Sequence, residues 1–417
     1  MKKELKRFDM YRRPNKPKWY LKLVEYVAAP FYMWFCGGRV KVDKEVKKLK
    51  GPYLILSSHA SFMDFAQLVV GLMPRTTGFV MSVEEFRRGD WLMYGIGGIP
   101  KRKFTHDIVT AKHMLYFLKR LKHSVALYPE ARFALAGVNE RLDGALGKIC
   151  KHAKVPVVLF KAYGNFINSP QWSKHPYRGI RQQAYITKLF DLADLEKYSA
   201  DELQEKIEKA FERDEYKWQA ENGYHTKCKE RADGLYRILY KCPHCGKEFK
   251  MKSAGVKLWC EECGSTWEMD TLSRLHGVNT DKGFSHIPDW YRWEREEVRK
   301  EVVAGTYRFE DEVRVEEYYS TKTGCIPVGE ARVVHDQDGF TFEGIVNGKE
   351  FKLNKPVSSM YSVHIEYDFL NRGDCFDIAT EETSYFMFLK TAENYLTKLH
   401  FATEELYDHL VRGKFVG

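Results

Sequence analysis

The chain contains no uninterrupted run of about 18 apolar residues, so it offers no conventional membrane-spanning helix. It also lacks low-complexity tracts and internal repeats. With 44% apolar and 30% charged residues it is too hydrophobic for a disordered chain and has none of the bias of a collagen-like one. Its nine cysteines are an odd number, with four in two close pairs and five scattered. That pattern argues against a disulfide framework and fits reduced thiols inside a cell. A cleavable signal peptide is not expected either, because Lys22 and Glu25 break the first apolar stretch and no small-residue cleavage pattern follows it.

What is present is 417 residues, enough for two or three cores, with a net formal charge of +10 and 14% aromatic residues. A basic surface suits phosphates, lipid head groups or nucleic acid, and composition does not choose among them. The first eighteen residues carry eight Lys or Arg against Glu4 and Asp9, and seven of the next eighteen, 19–36, are aromatic. A basic flank followed by an aromatic, apolar helix predicts docking on an anionic lipid surface. The expected place is the cytoplasmic face of a membrane, as a peripheral or monotopic protein; a first core helix behind a solvated basic tail is the alternative.

From 51 to 165 short apolar runs alternate with amphipathic stretches. Strands are predicted at 53–57, 78–82, 124–128 and 155–161, with a covering helix at 107–123, which argues for an α/β unit with a mostly parallel sheet. One helix is predicted over 199–219, begun by Ser199 ahead of Asp201 and Glu202. After a charged helix at 288–304 the period changes to two. Seven strands (312–319, 331–335, 340–345, 350–353, 362–367, 375–379 and 385–389) and a closing helix at 392–411 resemble a pleckstrin-homology-like barrel. Asp338-Gly339 and Asn347-Gly348 are the hairpin turns. The domains expected are therefore a membrane-associating segment at 1–50, a catalytic unit at 51–225, a cysteine-bearing ribbon at 226–275 and a β-rich unit at 276–417.

The first predicted strand runs into Ser57-Ser58-His59-Ala60-Ser61-Phe62-Met63-Asp64. Sites form at strand ends of α/β sheets. If a helix begins near Phe62, Asp64 can accept a hydrogen bond from one ring nitrogen of His59, leaving the other to deprotonate a hydroxyl. Three further blocks follow in order: Gly97-Gly98-Ile99-Pro100-Lys101-Arg102-Lys103, then Leu127-Tyr128-Pro129-Glu130-Ala131-Arg132, then Val155-Pro156-Val157-Val158-Leu159.

These four blocks resemble the glycerolipid acyltransferase family that includes 1-acylglycerol-3-phosphate acyltransferase, over about 50–165 and more weakly outward to 19 and 220. The resemblance implies that His59 is the general base and Asp64 its orienting partner. It implies that Lys101, Arg102 or Lys103 hold the acceptor's phosphate, with Glu130 and Arg132 shaping the same pocket; cations are what that anion requires. The co-substrates implied are a lysophospholipid acceptor, lysophosphatidic acid first, and an acyl thioester of coenzyme A or of an acyl carrier protein. Two departures stand out. The second block lacks the aromatic and acid usual before its arginine, and the third lacks the glycine usual after its glutamate.

Cys242-Pro-His-Cys245 and Cys260-Glu-Glu-Cys263, each followed by glycine, have the spacing of a four-thiolate Zn²⁺ site. With four sulfurs bound, no position is open to water, so the expected role is a structural staple. The alternative function is a zinc-ribbon nucleic-acid- or partner-binding protein with an inactive acyltransferase-like unit, in which Lys247, Lys250, Lys252 and Lys257 meet phosphates and Phe249 and Trp259 stack on bases. Nucleic acid is not the expected partner.

Overall fold

A computed structural model describes residues 5, 7–105, 107–176 and 178–413. The first sheet contains β1 (Gly38–Val42), β2 (Leu54–Ser57), β3 (Thr77–Ser82), β4 (Gly98–Lys101), β5 (Ser124–Leu127), β6 (Val157–Tyr163) and β7 (Gln182–Phe190). The strands lie in the order β1-β7-β6-β2-β5-β3-β4. The ladders joining β6, β2, β5, β3 and β4 are parallel; β7 is antiparallel to β6, and β1 is parallel to β7. The sheet is thus mostly parallel with a reversed pair at one edge.

Central β2 is buried on both faces, which is why its sequence is continuously apolar instead of alternating. Leu54 and Leu56 pack with the helices Ile108–Lys119, Leu146–Ala153 and Ala200–Phe211. Tyr53 and Ile55 pack on the other face with Trp19–Cys36 and Met63–Leu72. Three strands were not anticipated. β4 is four residues long with a proline, while β1 and β7 pair with each other and with β6 only after the chain has folded. The single helix expected over 199–219 is two, Ala200–Phe211 and Glu215–Glu221. The break places Arg213 on Glu130, and Asp214 accepts the Lys217 N–H as the second helix's cap.

Four short antiparallel strands follow, β8 (Met251–Ala254), β9 (Lys257–Cys260), β10 (Thr266–Met269) and β11 (Leu275–Gly277). After the helix Ile287–Val303, the β-rich region has β12 (Phe309–Tyr318), β13 (Cys325–Asp336), β14 (Gly339–Val346), β15 (Lys349–Pro356), β16 (His364–Glu366), β17 (Cys375–Ala379) and β18 (Ser384–Leu389). Their order is β15-β14-β13-β12-β18-β17-β16, antiparallel throughout. The outer strands β15 and β16 are not paired with each other among the described residues. Asn347 and Gly348 both have positive φ (53° and 73°), as a two-residue hairpin turn requires.

The final helix, Leu396–Tyr407, is buried along nearly its whole length even though it carries His400, Glu404 and Glu405. These polar groups are tolerated because arginines meet them. Arg295 reaches Glu404 at 2.8 Å and Glu405 at 3.2 Å, Arg299 reaches Glu405 at 2.7 Å, and Arg132 of the first unit reaches Glu404 at 3.3 Å. Burial alone would raise the Glu404 carboxyl, but His400, Arg295, Arg132 and Arg141 hold it well below its ordinary value of 4.5. A depressed folded-state pKa adds stability that is complete above about pH 4.5 and is lost as the pH falls below it. Glu404→Gln should therefore lower the unfolding free energy at pH 7 by about 3 kcal/mol. Denaturant titrations should also show a smaller loss of stability between pH 5 and pH 3 in the variant than in the wild type.

Candidate active site and metal centre

At the end of β2 the chain turns through His59–Phe62 into the helix Met63–Leu72, which puts Asp64 in the first helical turn. Asp64 is completely buried, and four N–H groups converge on it. Oδ2 accepts from His59 Nδ1 (3.1 Å), Ala60 N (2.6 Å) and Ser61 N (3.0 Å), and Oδ1 accepts from Asn165 Nδ2 (2.5 Å). In the neutral ring, an Nδ1–H donating to the carboxylate makes Nε2 the acceptor nitrogen. The His59 side chain is 24% exposed, and its ring lies 4.2 Å, centroid to centroid, from each of Tyr128 and Phe133.

Glu130 lies directly behind the histidine. Its Oε2 accepts the His59 backbone N–H (2.9 Å), its Oε1 accepts the Glu140 N–H (2.9 Å), and Arg213 donates to both oxygens (2.7 and 3.0 Å). The His59 carbonyl in turn accepts from Ala134 N at 2.9 Å, so both backbone groups of the histidine are tied. Glu130 thus acts on the backbone of His59. Ala131, where the related pattern has glycine, adopts a left-handed φ of 55°. This reversal sends Glu130 inward and Arg132 towards the C-terminal region.

Arg132 donates to the Val363 carbonyl (3.1 Å), His400 Nδ1 (2.8 Å), Ser362 Oγ and Glu404 Oε1 (3.3 Å), and its guanidinium lies 4.7 Å from the centre of the Phe104 ring. Arg102 donates to the Glu381 and Glu382 carbonyls, both at 2.7 Å. Lys103 sits against Asp377 (3.3 Å) and His364 (3.1 Å). Burial would lower the Lys103 pKa, but Asp377, Glu84 and Glu366 raise it above its ordinary value, so it stays charged. Three of the residues read as shaping a phosphate pocket are therefore engaged by the β-rich region. Lys101 differs, being partly exposed; among the described residues its ammonium has the Thr105 carbonyl at 3.5 Å and no carboxylate in ion-pair range.

Sequence reasoning missed Asn165, Arg213, Tyr128 and Phe133 as residues around His59 and its partners. Asn165 follows Gly164 at the end of β6, and that strand-end position was the available signal. The adjoining turn is braced by Glu215, fully buried and pushed up to about 8 by that burial, which accepts the Gly164 N–H at 2.6 Å. No local signal connects Arg213 with Glu130.

The exposed face of the helix Trp19–Cys36 carries Trp19, Tyr20, Leu23, Val24, Val27, Phe31, Trp34 and Phe35, an uncharged stripe at helical spacing. Lys22 and Glu25, which interrupt the apolar run in sequence, turn inward and pair at 2.7 Å. Phe62, more than half exposed and three residues after His59, packs its ring 5.8 Å from that of Tyr32 on this helix. Among the described residues no helix is long and apolar enough to cross a membrane.

The Sγ atoms of Cys242, Cys245, Cys260 and Cys263 all lie within 4.8 Å of one another, with separations of 3.7 Å (Cys242 to Cys263) and 3.8 Å (Cys245 to Cys260). Four thiolates around a tetrahedral ion at about 2.3 Å stand about 3.8 Å apart, so the four residues fit such a metal. Each pair forms a tight knuckle closed by Gly246 or Gly264 at φ 73°. Phe249, read as a base-stacking candidate, is instead packed against Tyr240 (5.3 Å) and Tyr395 (4.9 Å).

No protein-family model and no curated protein matches the chain. Among solved structures it is similar to the crystal structure of the 1-acyl-sn-glycerophosphate (LPA) acyltransferase, PlsC, from Thermotoga maritima. That similarity has 17% sequence identity and a TM-score of 0.36, covering 46% of this chain and 76% of the other.

Cys260→Ser should release the metal of the four-cysteine centre. Elemental analysis of purified protein is expected to show about one divalent metal ion per wild-type chain and a large loss in the variant.

Proposed function

We propose that the protein is an O-acyltransferase that moves a fatty acyl group from an acyl thioester to the free hydroxyl of a lysophospholipid, with lysophosphatidic acid as the acceptor and phosphatidic acid as the product. The observation that carries this reading is a histidine, about a quarter exposed, whose Nδ1 is committed to a buried carboxylate, which leaves Nε2 as the nitrogen open to a substrate. The site stands beside Phe62 and the apolar face of the first helix, where a lipid substrate would arrive.

In this mechanism Nε2 of His59 takes the proton of the acceptor hydroxyl, and the oxygen attacks the thioester carbonyl. Collapse of the tetrahedral species breaks the carbon–sulfur bond, and the thiolate leaves with the proton held by the imidazolium. Asp64 keeps the ring in the required tautomer and stabilises its charged form. Lys101 is the cation assigned to the acceptor's phosphate, because Arg102, Lys103 and Arg132 already have partners. The donor is a thioester of coenzyme A or of acyl carrier protein. Zn²⁺ is the metal proposed for the four cysteines; it would hold the ribbon together and take no part in the reaction. The enzyme would work as a peripheral or monotopic protein at the cytoplasmic face of a membrane, within phospholipid biosynthesis.

Purified protein given lysophosphatidic acid and a labelled acyl thioester should yield labelled phosphatidic acid. His59→Ala should lower the rate by about 10²–10⁴-fold with its circular dichroism unchanged. A fully active His59→Ala protein would sink the mechanism. Phe31→Glu combined with Trp34→Glu places two charges on the exposed face of the first helix. This variant should lose most of the wild-type protein's co-sedimentation with vesicles containing anionic phospholipid.

A further inference from the structure

At the free edge of the first sheet, β1, β7 and the helix Glu215–Glu221 enclose a groove of about 570 Å³. Arg39, Lys41 and Arg181 line it, together with Tyr185, Trp218 and Tyr224. Arg39 lies opposite Gln183 and Lys41 opposite Tyr185 in the β1–β7 ladder, and alternate residues of a strand share a face. The cations are therefore gathered on one side of two adjacent strands, where like charges repel.

Among the described residues no carboxylate is in ion-pair range of any of the three. Arg181 donates to the Tyr224 hydroxyl, at 3.4 Å, and the Lys41 ammonium lies 5.9 Å from the Tyr185 ring centre. By contrast, Lys188 farther along β7 is paired with Glu45 and Asp191. The aromatic side is built in depth: Tyr163 stacks on Trp218 at 5.6 Å, and Trp218 lies 5.2 Å from Tyr224.

The groove is at the same end of the sheet as His59. Tyr163 at the end of β6 is in register with Gln183, and three strand spacings, roughly 14 Å, separate β1 from β2. A hydrogen-bonded layer joins the two places. Gln67 donates to the Arg39 carbonyl (3.0 Å), and Asn165 donates both to Gln67 (2.7 Å) and to Asp64 (2.5 Å).

Unneutralised cations call for phosphate, and a wall of rings calls for a planar partner. We propose that this groove binds a nucleoside phosphate. Arg39, Lys41 and Arg181 take the phosphates, and the base lies against Tyr185, Trp218 and Tyr224. The nucleotide comes either free or as the tail of a coenzyme A thioester; the second source rests on the acyltransferase reading.

The test is calorimetric titration of the full-length protein with adenosine 3′,5′-bisphosphate, and with inorganic phosphate for comparison. Saturable binding of the bisphosphate is expected, weakened tenfold or more in an Arg39→Ala/Arg181→Ala double variant. Trp218→Leu, checked for an unchanged melting temperature, should narrow the preference for bisphosphate over phosphate. His59→Ala should bind as the wild type does. Competition by palmitoyl-coenzyme A would assign the site to the donor's tail, and bisphosphate binding indifferent to it would assign a free nucleotide. Absence of bisphosphate binding to the wild type, or equal binding by the double variant, overturns the proposal even if acyl transfer is found. Binding through Arg39 and Arg181 in a protein that transfers no acyl group upholds it while the acyltransferase reading falls.

Discussion

The arrangement around His59 depends on the ion pair between Glu130 and Arg213, both fully buried. Removing two charges from water costs several kcal/mol for each ion, and their attraction offsets this only when the remaining hydrogen-bonding capacity is used. Here the carboxylate accepts two guanidinium N–H groups and two backbone N–H groups, those of His59 and Glu140. The pair thereby fixes the backbone of the histidine, the loop that returns through Glu140, and the break between two helices from which Arg213 reaches in. The imidazole is oriented separately, by Asp64.

The same turn explains how the β-rich region is fastened. Left-handed Ala131 reverses the chain between Glu130 and Arg132, so one side chain holds the His59 backbone and the other enters the cluster of His400, Ser362 and Glu404. Arg102 and Lys103 make similar attachments to the 377–382 segment and to His364. These contacts place cations from two strand ends of the α/β unit under the β-rich region. The α/β unit and the β-rich region therefore share buried charge, which couples the stability of each to the position of the other.

Charge is distributed differently on the two sides of the site. Towards the first helix the exposed face is apolar, and the Lys22 and Glu25 of that helix are paired inside. Towards the sheet edge it is cationic and aromatic, with Arg39, Lys41 and Arg181 unneutralised. A substrate with a hydrocarbon part and a phosphate-bearing part would meet an environment suited to each.

Much of this was legible in the chain itself. Continuous apolar runs identified β2, β3, β5 and β6, because strands buried on both faces need no polar alternation. Period-two patterning and two turn dipeptides located the C-terminal strands, and the Cys-x2-Cys spacing placed four sulfurs around one point, since both are local geometry. The five-residue interval between His59 and Asp64 likewise lies within a single turn of chain. Tertiary structure alone decided that Glu130 meets His59 and Arg213 and that Arg102, Lys103 and Arg132 meet the β-rich region, contacts that span from 71 to 280 positions. It also decided that Lys22 and Glu25 turn inward and that β1 lies beside β7. A charged residue in sequence states what it can pair with, and only the folded chain determines which opposite charge is brought within reach and removed from water with it.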